Sequence, residues 1–438
     1  MNWKAAKTSA LLCVLFVVVY NGCNYLTSLR HDVPSFYFGW ERHIPFLPVF
    51  IIPYMSIDLF FVAAPFLCKD DSERQILSRR IVAAILIAGA CFLLFPFKFA
   101  FDRPVVSGWQ GVIFNNFRNV DKPFNEFPSL HMALRTILAL HYFRRSRGLL
   151  RWLLLIWFSL IGFSTLFTYQ HHFIDVAGGL FLGGLCVYFF QISPLRSPVI
   201  CNRRAGAYYA CGAIALIALT ISLQGWAWLF LWPALSLSLV AAAYFGLGPA
   251  IFRKQNGKIP FAARLVLWPV LLGQRISLIY YARQASPWNE LSEHIWIGRK
   301  LNAAEARAAM QHGVKAILDL TSELTEAGPF QSAAYCNEQV MDLTAPTEAQ
   351  LQGALNFIAA QIAGGVVYIH CKAGYSRTAA IAGAWLLSTR RAASAADAIA
   401  QLRAVRPRIV IRPEILVFLR KCESRWEIPN CGATTMQV

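Results

Sequence analysis

His370-Cys371-Lys372-Ala373-Gly374-Tyr375-Ser376-Arg377-Thr378 is the stretch that decides the reading of this chain. Val366-Val367-Tyr368-Ile369 in front of it is apolar and β-branched, which predicts a buried strand. The run from Thr378 to Leu387 is rich in Ala, Ile and Leu and predicts a helix. A cysteine therefore sits on a loop that leaves a strand and opens a helix. Such a loop turns successive peptide N–H groups inward, and the helix N-terminus adds partial positive charge. Gly374 permits the tight curl, Ser376 is a further candidate to bind phosphate, and Arg377 offers a planar fork to phosphate oxygens. This field favours thiolate over thiol at Cys371. The pattern points to a nucleophile beneath a phosphate cradle, with Lys372 adding charge and Thr378 in place to donate to the sulfur.

A thiolate that takes a phosphoryl group needs an acid to protonate the leaving oxygen. Two carboxylates are candidates. Asp342 opens the loop Leu343-Thr344-Ala345-Pro346, where a side chain can swing over the site. Asp319 lies inside Ile317-Leu318-Asp319-Leu320 and suits a structural role; Asp342 is preferred. His370 is expected to order the loop. Arg406 and Arg408 either extend a positive rim or belong to an ordinary basic surface. Around the loop, strands are expected at His294–Gly298, Ala316–Leu320 and Gln339–Leu343. Helices are expected at Asn302–His312, Thr347–Ala363 and Ser394–Val405. That alternation predicts an α/β domain with a mostly parallel central sheet over 286–438.

The rest of the chain differs in texture. Over 438 residues, 57% are hydrophobic and 15% charged, with a net charge of +18. A soluble average is about 25% charged. The basic excess falls in short clusters between apolar stretches, which argues against nucleic acid and for a polytopic membrane protein. The 11 cysteines are scattered, with no CxxC pair, so neither a disulfide framework nor a metal site is expected. No cofactor is implied. Membrane-length spans are predicted near 9–27, 44–67, 81–101, 130–143, 150–168, 173–192, 207–223 and 225–248. Arginine and lysine concentrate in alternate loops, which predicts eight spans with both ends in the cytoplasm. The expected organisation is a membrane domain at 1–250, a basic interfacial linker at 251–285, and the α/β domain. Within the linker, 262–284 reads as an interfacial helix, because Arg264, Pro269 and Arg275 interrupt its apolar run.

Three clusters fall at one predicted membrane face. Lys98 and Arg103-Pro104 end span three, and Pro128-Ser129-Leu130-His131 opens span four. Ser164 and His171 with Asp175 straddle the exit of span five and the entry to span six. Ionisable groups at this depth are functional suspects. His171 and Asp175 are one helical turn apart, so the carboxylate can orient the imidazole as a nucleophile. His131 could protonate the leaving oxygen, with Lys98, Arg103 and Ser129 holding phosphate.

These motifs resemble two families. H-C-x-x-G-x-x-R-T at 370–378 resembles the signature loop of the cysteine-dependent protein tyrosine and dual-specificity phosphatases. Asp342-Leu-Thr-Ala-Pro346, Tyr368 to Arg377 and Ile411-Arg-Pro413 are similar to the mitochondrial phosphatidylglycerophosphate phosphatase and related lipid-acting enzymes. The membrane motifs, over about 80–192, resemble the type 2 phosphatidic acid phosphatase superfamily. Here Lys98 and Arg103 stand closer than in that family, Leu130 replaces its Gly, and Ser164-Thr165 replaces its Ser-Arg. The Ser-Leu-His and Thr-x-Gln-His variants are similar to the inositol phosphorylceramide synthase branch, so hydrolysis and head-group transfer both stay open. The resemblance implies membrane lipids and lipid phosphates as partners, with phosphoproteins as the alternative. An inner-membrane protein is expected, and the arginine clusters in alternate loops together with the redox need of a reactive thiol place Cys371 in the cytoplasm and the histidine site facing the periplasm.

Overall fold

The computed structural model describes residues 3–223 and 225–426. They form two compact units that divide between Ser193 and Pro194.

The first unit is helical: α1 Trp3–Ser28, α2 Ile51–Ala63, α3 Asp71–Leu94, α4 Gly108–Val120, α5 Leu130–Phe143, α6 Gly148–Phe167 and α7 Phe173–Phe189. Side-chain oxygens set two of the starts. Asp70 accepts the Glu73 N–H at 2.8 Å, and Ser129 accepts the Met132 N–H at 3.2 Å. The small residues of α7 bring it against α5 at backbone distance. A Cβ on Gly179 would stand 2.3 Å from the Ser129 carbonyl, and one on Gly183 2.6 Å from that of Ala133. This close approach puts the start of α5 beside the start of α7, where Ser129 N–H donates to the Asp175 carbonyl at 3.0 Å. Helix α4 occupies the long loop between the predicted third and fourth spans, where no helix was expected.

The second unit begins with an apolar hairpin, α8 Arg203–Leu223 and α9 Leu231–Ala242, and α9 runs on through a π-helical turn at Ala243–Leu247. Among the described residues, six helices are long and apolar enough to cross a membrane: 3–28, 48–67, 71–94, 148–167, 203–223 and 227–247. Helix α7 is a shorter apolar helix. The predicted interfacial helix is two helices, α10 Phe261–Val266 and α11 Trp268–Ala282, that meet at Leu267 before Pro269.

An α/β domain follows. Its strands are β1 Trp288–Ser292, β2 Ile295–Arg299, β3 Val314–Asp319, β4 Ala334–Asn337 and β5 Val366–Cys371. Its helices are α12 Ala303–Gln311, α13 Glu348–Gln361, α14 Ser376–Ser388, α15 Ala395–Val405 and α16 Pro413–Trp426. The sheet order is β1-β2-β5-β3-β4, with β1 antiparallel and the other pairings parallel, so the sheet is mixed. Alternation along the central strand sorts the two faces. Val367 and Ile369 of β5 pack with Ile381, Trp385 and Leu402 on one side. Tyr368 packs with Trp296, Ala306 and Phe330 on the other. The strand expected at Gln339–Leu343 is a correction: that segment is a loop, and the fourth strand lies at Ala334–Asn337. Of the predicted domain, residues 427–438 lie outside the described residues.

Candidate functional site

Cys371 ends β5, the middle strand, and the chain then curls through 372–375 into α14. Crevices at the carboxyl ends of parallel strands are where α/β sheets hold ligands. The curl is possible because Gly374 has φ +72°; a Cβ there would stand 2.4 Å from the Gly298 carbonyl carbon. Arg406, buried to 2% exposure, spans the curl from outside. It donates from Nε to the Gly374 carbonyl at 2.9 Å and from Nη2 to Ala373 at 3.2 Å. Arg406 is thus a strut of the loop. His370 is held by Glu326, Nε2 to Oε2 at 2.8 Å, and Glu326 also takes Lys300 at 2.6 Å.

The inner side of the curl is left open. Among the described residues no backbone carbonyl accepts the peptide N–H groups of Ala373 to Thr378. The Thr378 hydroxyl and the Arg377 Nε are buried without a hydrogen-bond partner. Unpartnered buried donors are costly unless something occupies them, and phosphate oxygens fit. Cys371, 4% exposed, lies at the base.

Arg377 departs from the simple picture of a free fork. Its two terminal nitrogens are engaged end-on by Glu323, Nη2 to Oε1 at 2.7 Å and Nη1 to Oε2 at 3.1 Å. Nη1 also donates to the Val340 carbonyl at 3.0 Å. The side of the guanidinium that carries Nε is what remains for a phosphate. Burial alone would raise the Glu323 carboxyl, but the Arg377 charge overrides it and holds the group down to about 2. Glu323 was not legible as a site residue.

Asp342 reaches the same place. Its Oδ1 is 3.6 Å from Arg377 Nη2 and its Oδ2 accepts from Lys372 Nζ at 3.1 Å. Burial pushes its carboxyl up, and Arg377 and Lys372 together outweigh that and hold it below the usual range. Asp319 is elsewhere. It is fully buried and accepts from Lys254 at 2.5 Å, from the Thr321 N–H at 2.7 Å and from the Tyr335 hydroxyl at 2.7 Å. Ser376 is the first residue of α14, and Lys372 also donates to Gln274 of α11 at 2.9 Å.

In the first unit, His131 and His171 line one cavity of ≈ 250 Å³ with Tyr54, Asp58, Asp121 and Phe117. His131 stacks on Tyr54 with centroids 4.2 Å apart, and its buried Nε2 has no partner. His171 Nδ1 is 3.1 Å from Glu126 Oε2. This corrects the expected pairing: the Asp175 carboxylate accepts the His172 N–H at 2.9 Å, capping α7, and the carboxylate on the imidazole is Glu126. Glu126, His171 and Asp175 nonetheless keep their polar atoms within 4.8 Å of one another. With Nδ1 engaged, Nε2 is the nitrogen of His171 left for chemistry. The adjacent His172 is used up, with Nδ1 on Glu41 and Nε2 accepting the Ala100 N–H at 3.0 Å. Arg103 lies over the Phe99 ring and donates to the Tyr169 carbonyl at 3.2 Å. Ser129 is buried as the cap of α5. Lys98 is exposed and, among the described residues, its side chain enters none of the hydrogen bonds of the histidine cluster.

Both halves match known families. Residues 295–425 match the family model of the dual specificity phosphatase catalytic domain, and residues 49–189 match that of the PAP2 superfamily. The chain is 32% identical over 117 residues to the mouse (Mus musculus) dual specificity protein phosphatase CDC14B, covering 26% of this chain and 24% of that protein. It thus spans about a quarter of the length of that relative. It is 27% identical over 181 residues to the phosphatidylglycerophosphatase and protein-tyrosine phosphatase 1 of Rattus norvegicus, covering 36% of this chain and 88% of that one. A crystal structure of PTPMT1 in complex with PI(5)P aligns over 32% of this chain and 97% of that one, at 22% identity and TM-score 0.30. Residues 49–189 are thus similar to the PAP2 superfamily, and residues 295–425 to the catalytic domain of dual specificity phosphatases.

Proposed function

We propose that this chain is a membrane-bound phosphatase that hydrolyses lipid phosphate monoesters through a cysteinyl-phosphate at Cys371. The observation that carries the reading is the open curl: Cys371 below unaccepted N–H groups, with Arg377 Nε and the Thr378 hydroxyl unpartnered and Asp342 at the rim. The Cys371 sulfur attacks phosphorus, and the loop N–H groups and Arg377 hold the equatorial oxygens. Asp342 gives its proton to the departing oxygen. Water then releases phosphate from the sulfur, with Thr378 donating to the thiolate that leaves. In the free site two cations keep Asp342 ionised; a phosphate dianion on Arg377 and Lys372 offsets them and lets it carry a proton.

Two observations support a lipid substrate. Lys372 adds a second cation suited to an anionic head group. Helix α11, which supplies Gln274 to Lys372, exposes Trp268, Leu272, Ile276, Ile279 and Tyr280, and we read this stripe as lying in the membrane interface. A second site, His171 with Glu126, Asp175 and His131, acts on lipid phosphates by hydrolysis or transfer. With eight spans in the inner membrane, Cys371 faces the cytoplasm and His171 the periplasm, so the two sites serve different leaflets. The competing reading is a membrane-anchored phosphatase of phosphoproteins. Phosphate release from lipid phosphates and phosphopeptides, by wild type, Cys371→Ser and His171→Ala, separates them. A partial loss of lipid turnover in each single variant, complete when the two are combined, supports two lipid sites. Loss of phosphopeptide turnover alone in Cys371→Ser overturns the lipid reading.

A further inference from the structure

Two side chains at the ends of the apolar hairpin α8–α9 reach the loop that carries Asp342. The Tyr244 hydroxyl donates to the Asp342 carbonyl at 3.0 Å, and Asn202 Nδ2 donates to the Leu343 carbonyl at 2.7 Å. The residues between these bonds need holding. Leu343 has φ +60°, a left-handed conformation that costs a branched side chain about 1 kcal/mol or more. A free loop would relax it and carry the Asp342 carboxylate away from Arg377.

The hairpin end is built to be rigid at this spot. Asn202 N–H donates to the Tyr244 carbonyl at 3.2 Å, and Asn202 Oδ1 accepts the Ala205 N–H at 3.0 Å, starting α8. Tyr244 is 3% exposed, stacks on Tyr209 with centroids 5.7 Å apart, and sits on the π-helical turn 243–247. The turn closes α9, with Gly246 at φ +134° and Gly248 at φ +75°, so Tyr244 stands where the helix hands over to the segment that leads to the α/β domain. The segment after the turn is anchored to the α/β domain by the fully buried Lys254–Asp319 pair and by Gln339 Nε2 donating to the Lys254 carbonyl at 3.0 Å. The donors therefore approach the loop from a fixed frame.

We propose that Asn202 and Tyr244 are positioning residues for Asp342, so that the apolar hairpin is a working part of the phosphatase and not only its anchor. The inference rests on Asp342 being the acid. Its signature is selective: a misplaced acid slows departure of an alkoxide but not of a phenolate that leaves without a proton.

The test uses the full chain in a His171→Ala background, with dioleoyl phosphatidic acid in mixed micelles and with p-nitrophenyl phosphate. Tyr244→Phe removes one hydroxyl. Asn202→Asp keeps the cap of α8 but cannot donate to Leu343. Each is expected to lower kcat on the lipid roughly 3–10-fold, the worth of one hydrogen bond, with KM unchanged and aryl phosphate turnover within about two-fold. Asp342→Asn, run alongside, gives the same split at larger size. If Asp342→Asn shows the split and neither hairpin variant does, or if they slow both substrates equally, the positioning role is overturned. If Asp342→Asn itself shows no split, the assignment of the acid fails, and the inference with it.

Discussion

Replacing Glu323 by Gln should cost the α/β domain about 3 kcal/mol at neutral pH. The reasoning starts from a buried ion pair with two hydrogen bonds, 2.7 and 3.1 Å, and a carboxylate that is 4% exposed. Its carboxyl lies at about 2 in the folded chain, against about 4.3 when unfolded. A lowered carboxyl contributes stability above the unfolded value and loses it as pH falls through the folded one. The shift corresponds to about 3 kcal/mol at pH 7, about half of that at pH 3, and little at pH 2. Breaking a buried pair by removing one partner gives about 3–5 kcal/mol independently. Pulse proteolysis in urea, on detergent-solubilised wild type and Glu323→Gln, measures the gap. It should be wide from pH 7 to 5 and close between pH 4 and 2. A gap that is absent at pH 7, or that persists at pH 2, would refute the argument that Arg377 holds Glu323 ionised. The variant should also lose turnover, since Arg377 then has Asp342, 3.6 Å away, as its remaining carboxylate.

Other outcomes follow from the same geometry. Asp342→Asn should slow alkyl phosphates by roughly 10²–10³ and activated aryl phosphates much less; stopped assays on both classes check it. Lys254→Met should destabilise by about 3–5 kcal/mol, and adding Asp319→Asn should restore most of that, without leaving-group dependence in either. Lys372→Gln removes a cation that lowers Asp342, so the basic limb of kcat/KM for an alkyl phosphate should move to higher pH; a limb that stays or moves down contradicts that coupling. A reporter fused near Gln110 and another after Val438 should report opposite compartments; the same compartment means that the total span count is odd, nine instead of eight.

What could be read from the chain was local. The curl at 370–378 declares itself because strand, Gly374, Arg377 and helix follow one another within a few residues. Asn302, Thr347 and Ser394 announce helix starts, and all three cap as their types suggest. What escaped was set by distant partners. Glu323 stands between Ser322 and Leu324 with no local signature, and its arginine is 54 residues away. Glu126 meets His171 from 45 residues away, while Asp175, one turn from the histidine, spends its carboxylate on a peptide N–H. The segment 339–343 has strand-like residues, yet Leu343 bends it left-handed. The edge strands β1 and β4 show no clean alternation of burial, which hides edge strands from pattern reading. Tyr244 lies inside the predicted span 225–248 and Asn202 in the basic loop before 207–223, and neither has a local pattern that marks a site.

The most direct measurement is a trap of the covalent intermediate. The full chain turning over a ³²P-labelled lipid phosphate is quenched in acid, digested, and the labelled peptide identified. Phosphocysteine survives acid and phosphohistidine does not, so the two sites are told apart by the quench. Acid-stable label on the peptide containing Cys371, absent in Cys371→Ser, is the predicted result. Acid-stable label elsewhere, or turnover undiminished in Cys371→Ser with His171→Ala also present, would contradict it.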